Sequence, residues 1–282
     1  MLLELFHLPN IITFDAHRFE SAAQFYVAGR PKYAARLIER VASRLNFDGT
    51  QKLLDLGTGP GDLAIAFAPY AAEVTAVDPE PEMLRVASEQ VRKACVQVKL
   101  IEGDSYRLDN LPGTFDFVTI GRAFHWMDRL QTLHSLDKLL APDAAVALFS
   151  TRHPPLPENA WLKDYGALIE AYGEPGLSRQ VRRSPEWVPH ESMLLNSSFS
   201  ELERIGVIEL RSTSLESLAS RALSYSISSP GRIGQRANDL EEAIRSTLLT
   251  HAHDGMIREV VESEALLAFR HRQRPVAFEP SK

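Results

Sequence analysis

Three glycines, four aspartates and one histidine carry most of the chemistry that can be read from this chain. The stretch LLDLGTGPGD sets Gly57, Gly59 and Gly61 between an apolar run and a helical pattern, with Asp55 ahead of them and Asp62 behind. Glycines at that spacing let the backbone turn sharply and let a ligand approach it without Cβ atoms in the way. Two ligand classes compete for such a turn. The dinucleotide fingerprint G-x-G-x-x-G needs a glycine at position 62, where a helix N-terminus would face a pyrophosphate. Asp62 stands there instead, and its charge would repel that group. The pattern therefore suits a ligand that lacks phosphates and carries positive charge.

Two further acids follow apolar runs. Asp78, in VTAVDPEP, lies at the distance beyond the turn where a carboxylate bonds ribose hydroxyls. Asp104, in EGDS, is placed to accept from an adenine amino group. Either residue alone could equally be a cap or a turn, but acids after three successive strands favour a nucleoside. S-adenosylmethionine, with its sulfonium and ammonium, meets all of these conditions. His125, in AFHWMD, is a candidate for acid–base work or for orienting an acceptor. It could also, with Trp126, simply pack and position the following helix. Asp128 would orient the imidazole if this segment is helical. Trp126 reads as a pocket wall. Arg182 and Arg183 could meet an anionic substrate, though a solvated face is the simpler expectation. The HAHD run from His251 to Asp254 reads as a solvated loop with no separate cluster to complete a metal site.

These groups need elements to hold them. Helical spacing runs through Ser21–Leu45, with Pro31 able to open a second helix at its first turn. QKLLDLG, EVTAVDP, VQVKLIEGD, TFDFVTIG and AAVALFS read as five strands, each of the first four followed by a candidate ligand residue and the first, second and fourth by a helical pattern. That alternation predicts a doubly wound parallel sheet with ligands at the carboxyl ends of its strands. Trp161–Tyr172 reads as a helix, and nothing firm is read from there to about Pro189. ELERIGVIEL and MIREVVESEALLAFR read as two late strands.

The bulk numbers agree. A chain of 282 residues can bury a core without staples, and a net charge of -6 argues against a nucleic-acid partner. One cysteine, Cys95, excludes an intrachain disulfide and a cysteine-ligated cluster; a buried, inert thiol is expected. The opening MLLELFHLPNIITF lacks a basic n-region, and no apolar run is long enough to span a membrane. A cytoplasmic location is the default expectation.

The chain resembles the class I, Rossmann-like S-adenosylmethionine-dependent methyltransferases over roughly 14–150. LLDLGTGPG, VTAVDPEPEML, IEGDSYRL and FDFVTIGRAFHWMD are similar to four successive family motifs. RAFHWMD, with FYVAGRPKYAARL upstream, resembles a small-molecule subgroup that includes trans-aconitate methyltransferase-like proteins. That resemblance implies a seven-stranded sheet whose last strand is antiparallel. It implies one domain over 1–282, with a helical cap at 14–46 and a cofactor core at 51–150. An insertion at 151–200 could form a lid, and late strands lie within 201–275. It also implies site roles. Asp55, Gly57, Thr58, Gly59 and Gly61 would shape the methionine pocket. Asp78 would hold the ribose, Asp104 and Ser105 the adenine, and Pro79 and Met83 would line them. Arg122 and Ala123 would sit beside the methyl donor, with Tyr26 and Arg30 closing over the cofactor and Arg30 near its carboxylate. Phe124, His125 and Trp126 would border the acceptor. Ala34 departs from the subgroup, which often has proline after the tyrosine. The expected partner is a small-molecule acceptor, with no metal, nucleic acid or membrane; monomer and homodimer stay open. A non-catalytic cofactor-binding protein, an RNA or protein methyltransferase and a nicotinamide oxidoreductase remain alternatives.

Overall fold

A computed structural model describes residues 19–271. The opening stretch MLLELFHLPNIITF and the residues after 271 lie outside the described residues. Five short apolar runs become parallel strands: β1 (Lys52–Leu56), β2 (Glu73–Asp78), β3 (Lys99–Glu102), β4 (Phe115–Gly121) and β5 (Leu140–Arg152). β6 (Glu201–Ser214) and β7 (Met256–Phe269) complete a seven-stranded sheet of order β3-β2-β1-β4-β5-β7-β6. β7 runs antiparallel to both of its neighbours. The order reverses between β1 and β4, so the carboxyl ends of these strands open the crevice where ligands bind.

Successive strand residues face opposite layers, and each layer has its own core. Leu54, Val118 and Val146 point to one face with Leu133 and Leu136 of α5 (Arg129–Leu139). Leu53, Phe117 and Ala145 point to the other, against α2 (Ala35–Arg44) and α3 (Asp62–Phe67). α4 (Pro81–Ala94) begins with proline at its first turn, where the missing N–H costs nothing, and the Glu80 carboxylate accepts from the Glu82 N–H.

The cap differs from expectation. α1 (Ala23–Gly29) ends before Pro31, and Arg30 is extended at φ -75°, ψ 134°. The ring of a proline disfavours helical geometry in the residue before it, so Pro31 stops α1 rather than starting α2, which begins four residues later. Cys95 is exposed rather than buried, because it closes α4 as a left-handed cap at φ 54°.

The second half holds more helix than its sequence suggested. α6 (Leu162–Tyr172) forms as expected, and α7 (Leu177–Arg183) and α8 (His190–Leu195) occupy the stretch where no element was read. Between the two late strands run α9 (Leu215–Leu223), α10 (Pro230–Ile233) and α11 (Arg236–Leu248), none of them anticipated. Trp161, Tyr165 and Ile169 of the α6 region pack with Leu218 and Ala222 of α9 and with Leu240 and Ile244 of α11. This separate apolar cluster makes a helical layer beyond the carboxyl ends of β4 and β5. α1 docks on it where Gly29 meets the backbone of Ser220 and Arg221; a Cβ there would stand 2.3 Å from the Arg221 nitrogen.

Candidate active site

The glycine turn is held from both sides. The Gly57 and Thr58 N–H groups donate to the Val77 carbonyl at 2.8 and 3.0 Å, tying the end of β1 to β2. Gly57 sits at φ +69°, and a Cβ on it would lie 2.6 Å from Ala123 Cβ. Only glycine fits such a left-handed position against a neighbouring chain. Gly61, at φ +87°, caps α3 and faces Ala87 and Ile65, so it shapes the turn without lining the cavity beside it. Asp55 lies beneath the turn. Its carboxylate accepts from Thr58 Oγ1 (2.6 Å), Thr119 Oγ1 (2.7 Å) and the Ala64 N–H (3.2 Å), and burial pushes its pKa up to about 6.

The first cavity opens above this turn and gathers most of the expected residues. Tyr26, Gly57, Gly59, Asp78, Pro79, Met83, Asp104, Ser105, Arg122 and Ala123 all line it. Thr58 and Asp55 line a narrow extension at one end, with Asp62 and Arg122. Asp78 accepts from the Gly59 N–H at 2.7 Å and the Glu80 N–H at 3.0 Å, which fixes both of its oxygens at the lip; burial pushes its pKa up to about 6. Asp104 holds the Tyr106 N–H at 2.9 Å. Arg122, itself at φ +58°, donates to the Pro31 carbonyl and pairs with Asp62 at 3.4 Å. Its guanidinium lies over the Tyr33 ring at 4.9 Å and the Tyr26 ring at 5.4 Å. Glu80, Gly103 and Met127, which line the same cavity, were not singled out from the sequence. Gly103 was visible inside EGDS.

A second chamber of about 730 Å³ adjoins the first, within the usual range for small-molecule sites. Phe19, Tyr26, Arg122, Ala123 and Trp126 border both. Phe124 and His125 line the chamber with Trp126, as expected, although Phe124 is mostly a core residue. Trp126 is a wall, edge-on to Phe19 at 5.5 Å and beside the His125 ring at 4.7 Å. His125 is half-buried in the chamber wall. Burial, then the positive fields of Arg182, His190, Arg129 and Arg30, hold its pKa well below the usual histidine range, so it is neutral at neutral pH. Asp128 spends its carboxylate on the Gln131 N–H as the cap of α5, rather than orienting the imidazole.

One placement differs from expectation. Arg30 lines the chamber and not the first cavity, because the residue after α1 reaches toward the end of α9: Nη2 donates to the Ser224 carbonyl at 3.0 Å. Arg182 is exposed, as expected of a solvated face, and also borders the chamber, where its field reaches His125. The remaining wall comes from residues with no local signature, including Tyr165, His190, Arg221 and Tyr225. The Arg221 guanidinium donates two buried hydrogen bonds to Glu259, at 2.8 and 2.9 Å, and a third to the Gly29 carbonyl. Glu259 also meets His153 Nε2 at 2.8 Å. His253 and Asp254 are exposed. Among the described residues, no group of three or more His, Cys, Asp or Glu side chains is placed to hold a metal.

Residues 53–143 match the model of a methyltransferase domain. An uncharacterized methyltransferase of Mycobacterium tuberculosis is 28% identical over 234 residues, covering 83% of this chain and 86% of its own length. The chain carries the methyltransferase domain of the class I S-adenosylmethionine-dependent enzymes. A demethylmenaquinone methyltransferase of Thermus thermophilus is 34% identical, but over 39% of this methyltransferase and 51% of its own length. Two solved structures share the fold. The YcgJ protein of Bacillus subtilis has a TM-score of 0.50 at 19% identity, covering 85% of this methyltransferase and all of its own chain, 100%. A protein of Anaeromyxobacter dehalogenans assigned as a type II methyltransferase has 0.57 at 18%, covering 86% and 97%.

The donor set of the first cavity fits the cofactor of this family. Its lip carries acceptors for hydroxyl and amino groups at Asp78 and Asp104, and its narrow end holds Asp62 and Arg122, with Asp62 also paired to Lys32 from outside, so both signs of charge are at hand for an amino acid. None of the helices among the described residues is long and apolar enough to cross a membrane.

Proposed function

We propose that this methyltransferase transfers a methyl group to a small molecule held in the second chamber. The observation that carries the reading is the shared wall: Tyr26, Arg122, Ala123 and Trp126 face both cavities, so a molecule in one meets a molecule in the other there. S-adenosylmethionine, when bound, supplies a sulfonium methyl carbon open to in-line displacement, with the leaving group already activated.

The protein's own residues then have three tasks. Asp78 receives the ribose hydroxyls with lone pairs left over from the Gly59 and Glu80 bonds, and Asp104 and Ser105 border the adenine. Asp62 and Arg122 take the ammonium and carboxylate of the methionine portion. Trp126, Tyr26 and Phe19 exclude water at the junction, where holding two reactants in register supplies much of the rate. His125, neutral and half-buried, can accept a proton from an acceptor that arrives protonated, or orient one that does not.

The test is calorimetric titration with S-adenosylhomocysteine, with NADH in parallel, followed by an acceptor screen that monitors S-adenosylhomocysteine formation. Micromolar binding of the first alone, about -8 kcal/mol, and turnover with a small molecule are expected. Binding without turnover on any small molecule, but with turnover on RNA or protein, would overturn the acceptor class.

A further inference from the structure

The second chamber holds a half-buried guanidinium with no carboxylate partner among the described residues. Four guanidinium groups border it: Arg30, Arg122, Arg182 and Arg221. Arg122 is paired with Asp62, and Arg221 with Glu259. The two carboxylates in the wall, Glu191 and Glu264, both go to Arg204, at 2.6 and 3.2 Å. Among the described residues, no carboxylate pairs with Arg30. Its guanidinium lies 4.2 Å from the centre of the Tyr225 ring and 5.0 Å from that of Tyr26, with one nitrogen on the Ser224 carbonyl. Its Nε is buried without a hydrogen-bond partner. A guanidinium fixed between two rings with an unmet donor is a preorganised anion receptor, because its planar fork matches a carboxylate and little side-chain freedom is left to lose.

The family resemblance would give this arginine to the carboxylate of the cofactor. The geometry points elsewhere. Arg122 already stands at the narrow end of the first cavity beside Asp62, whereas Arg30 faces the chamber. The chamber wall also carries an apolar and aromatic part, with Trp126, Tyr165, Ile169, Ile227 and Leu266, beside polar residues such as Ser150 and Thr151.

We infer that Arg30 anchors a carboxylate on the methyl acceptor, and that the acceptor is an amphipathic organic acid whose apolar body lies along Tyr165 and Ile169. This rests on the reading of the first cavity as the cofactor site. Burial, and after it the cationic surroundings, keep His125 unprotonated, which fits the same acceptor, since the neutral ring can donate one N–H to the acid.

The experiment uses the full chain saturated with S-adenosylhomocysteine and a panel of small aryl and alkyl carboxylates, each paired with its neutral primary amide. At least one acid should bind about tenfold or more tightly than its amide, the scale of a charge-assisted hydrogen bond. Arg30→Met should abolish that preference and Arg30→Lys restore part of it. Arg30→Met should also keep S-adenosylhomocysteine affinity within about twofold of the native protein. Circular dichroism melting checks that the variants fold, and the acid–amide ratio within each protein is independent of the folded fraction. Equal binding of acids and amides by the native protein, or binding of neither, would overturn the inference. So would an Arg30→Met loss confined to S-adenosylhomocysteine and absent with 5′-methylthioadenosine, which lacks the carboxylate, because that assigns Arg30 to the cofactor. Failure of the native protein to bind S-adenosylhomocysteine at all would overturn the cofactor reading beneath it.

Discussion

The two cavities are built on opposite principles. The first is made of backbone and acids: a glycine turn and carboxylates at strand ends, close together in sequence and aligned by the sheet. The second is made of side chains from α1, the segment after β4, α6, α8 and α9, and its prevailing charge is positive. The first suits a ligand with a sulfonium and an ammonium. The second surrounds its histidine with arginines. Strand ends can place acids by register alone, whereas a chamber assembled from separate helices depends on buried pairings to hold its shape.

The largest expected effect tests that dependence. Glu259→Ala strands the Arg221 charge between α9 and β7 and should cost about 3–5 kcal/mol of stability, read from chemical denaturation. If the chamber is the more fragile half, the folded variant keeps its S-adenosylhomocysteine affinity while losing acceptor binding. Equal loss at both sites would mean the cavities form one cooperative unit. Next, Gly57→Ala combines a left-handed backbone with a clash at Ala123. It should destabilise by about 2–4 kcal/mol and eliminate measurable cofactor binding. Asp78→Ala should weaken S-adenosylhomocysteine by about 1.5–3 kcal/mol, and unchanged affinity would remove the ribose assignment.

Protonation separates the halves again. With Asp78 at about 6 in the free protein, its acceptor form is lost as pH falls below that value. S-adenosylhomocysteine affinity should then decline by up to about tenfold per pH unit. The smallest effect is on stability. Asp55 and Asp78 are raised from 3.8 to about 6 on folding, so the folded state takes up protons first and gains stability as pH falls from 6 toward 4. His190 is lowered from 6.5 to about 4, and His125 is lowered too, so the unfolded state takes up protons first and stability is lost over that range. The opposing trends should leave a shallow profile in the native protein. His190→Phe should tilt it toward greater stability on acidification, by at most about 1.4 kcal/mol per pH unit. An unchanged slope would mean the imidazole is not desolvated.

The same contrast decides what the sequence could reveal. Gly57, Asp78 and Asp104 are local signals, because turn geometry and strand ends leave residue types at fixed spacing. The five parallel strands were legible for that reason, and β6 and β7 through their alternation. α9, α10 and α11 were not, since their apolar faces answer to α6, to α1 and to one another, all remote in the chain or unread themselves. Tyr165, His190 and Tyr225 meet Arg30 from more than a hundred residues away along the chain. Nothing near any of them in the chain says what it will face. Pro31 and Asp128 were misjudged on a simpler point: each had two local uses, as helix stop or start and as cap or imidazole partner, and the local geometry took the other one.

The place of β7 in the sheet also bears on how the chain is made. β5 ends at Arg152 and its eventual neighbour begins at Met256. During synthesis, about a hundred residues must follow before that neighbour exists, roughly 5–20 seconds on the ribosome. Until then the apolar run AVALFS has an open edge, the kind of strand that recruits wrong partners. β6 emerges first, but in the finished sheet it touches only β7, so an early β5–β6 pairing would have to be undone. The nascent protein thus passes through a stage with half a sheet, an exposed seam and a competing strand beside it. Its yield in the cell depends on what shields that seam.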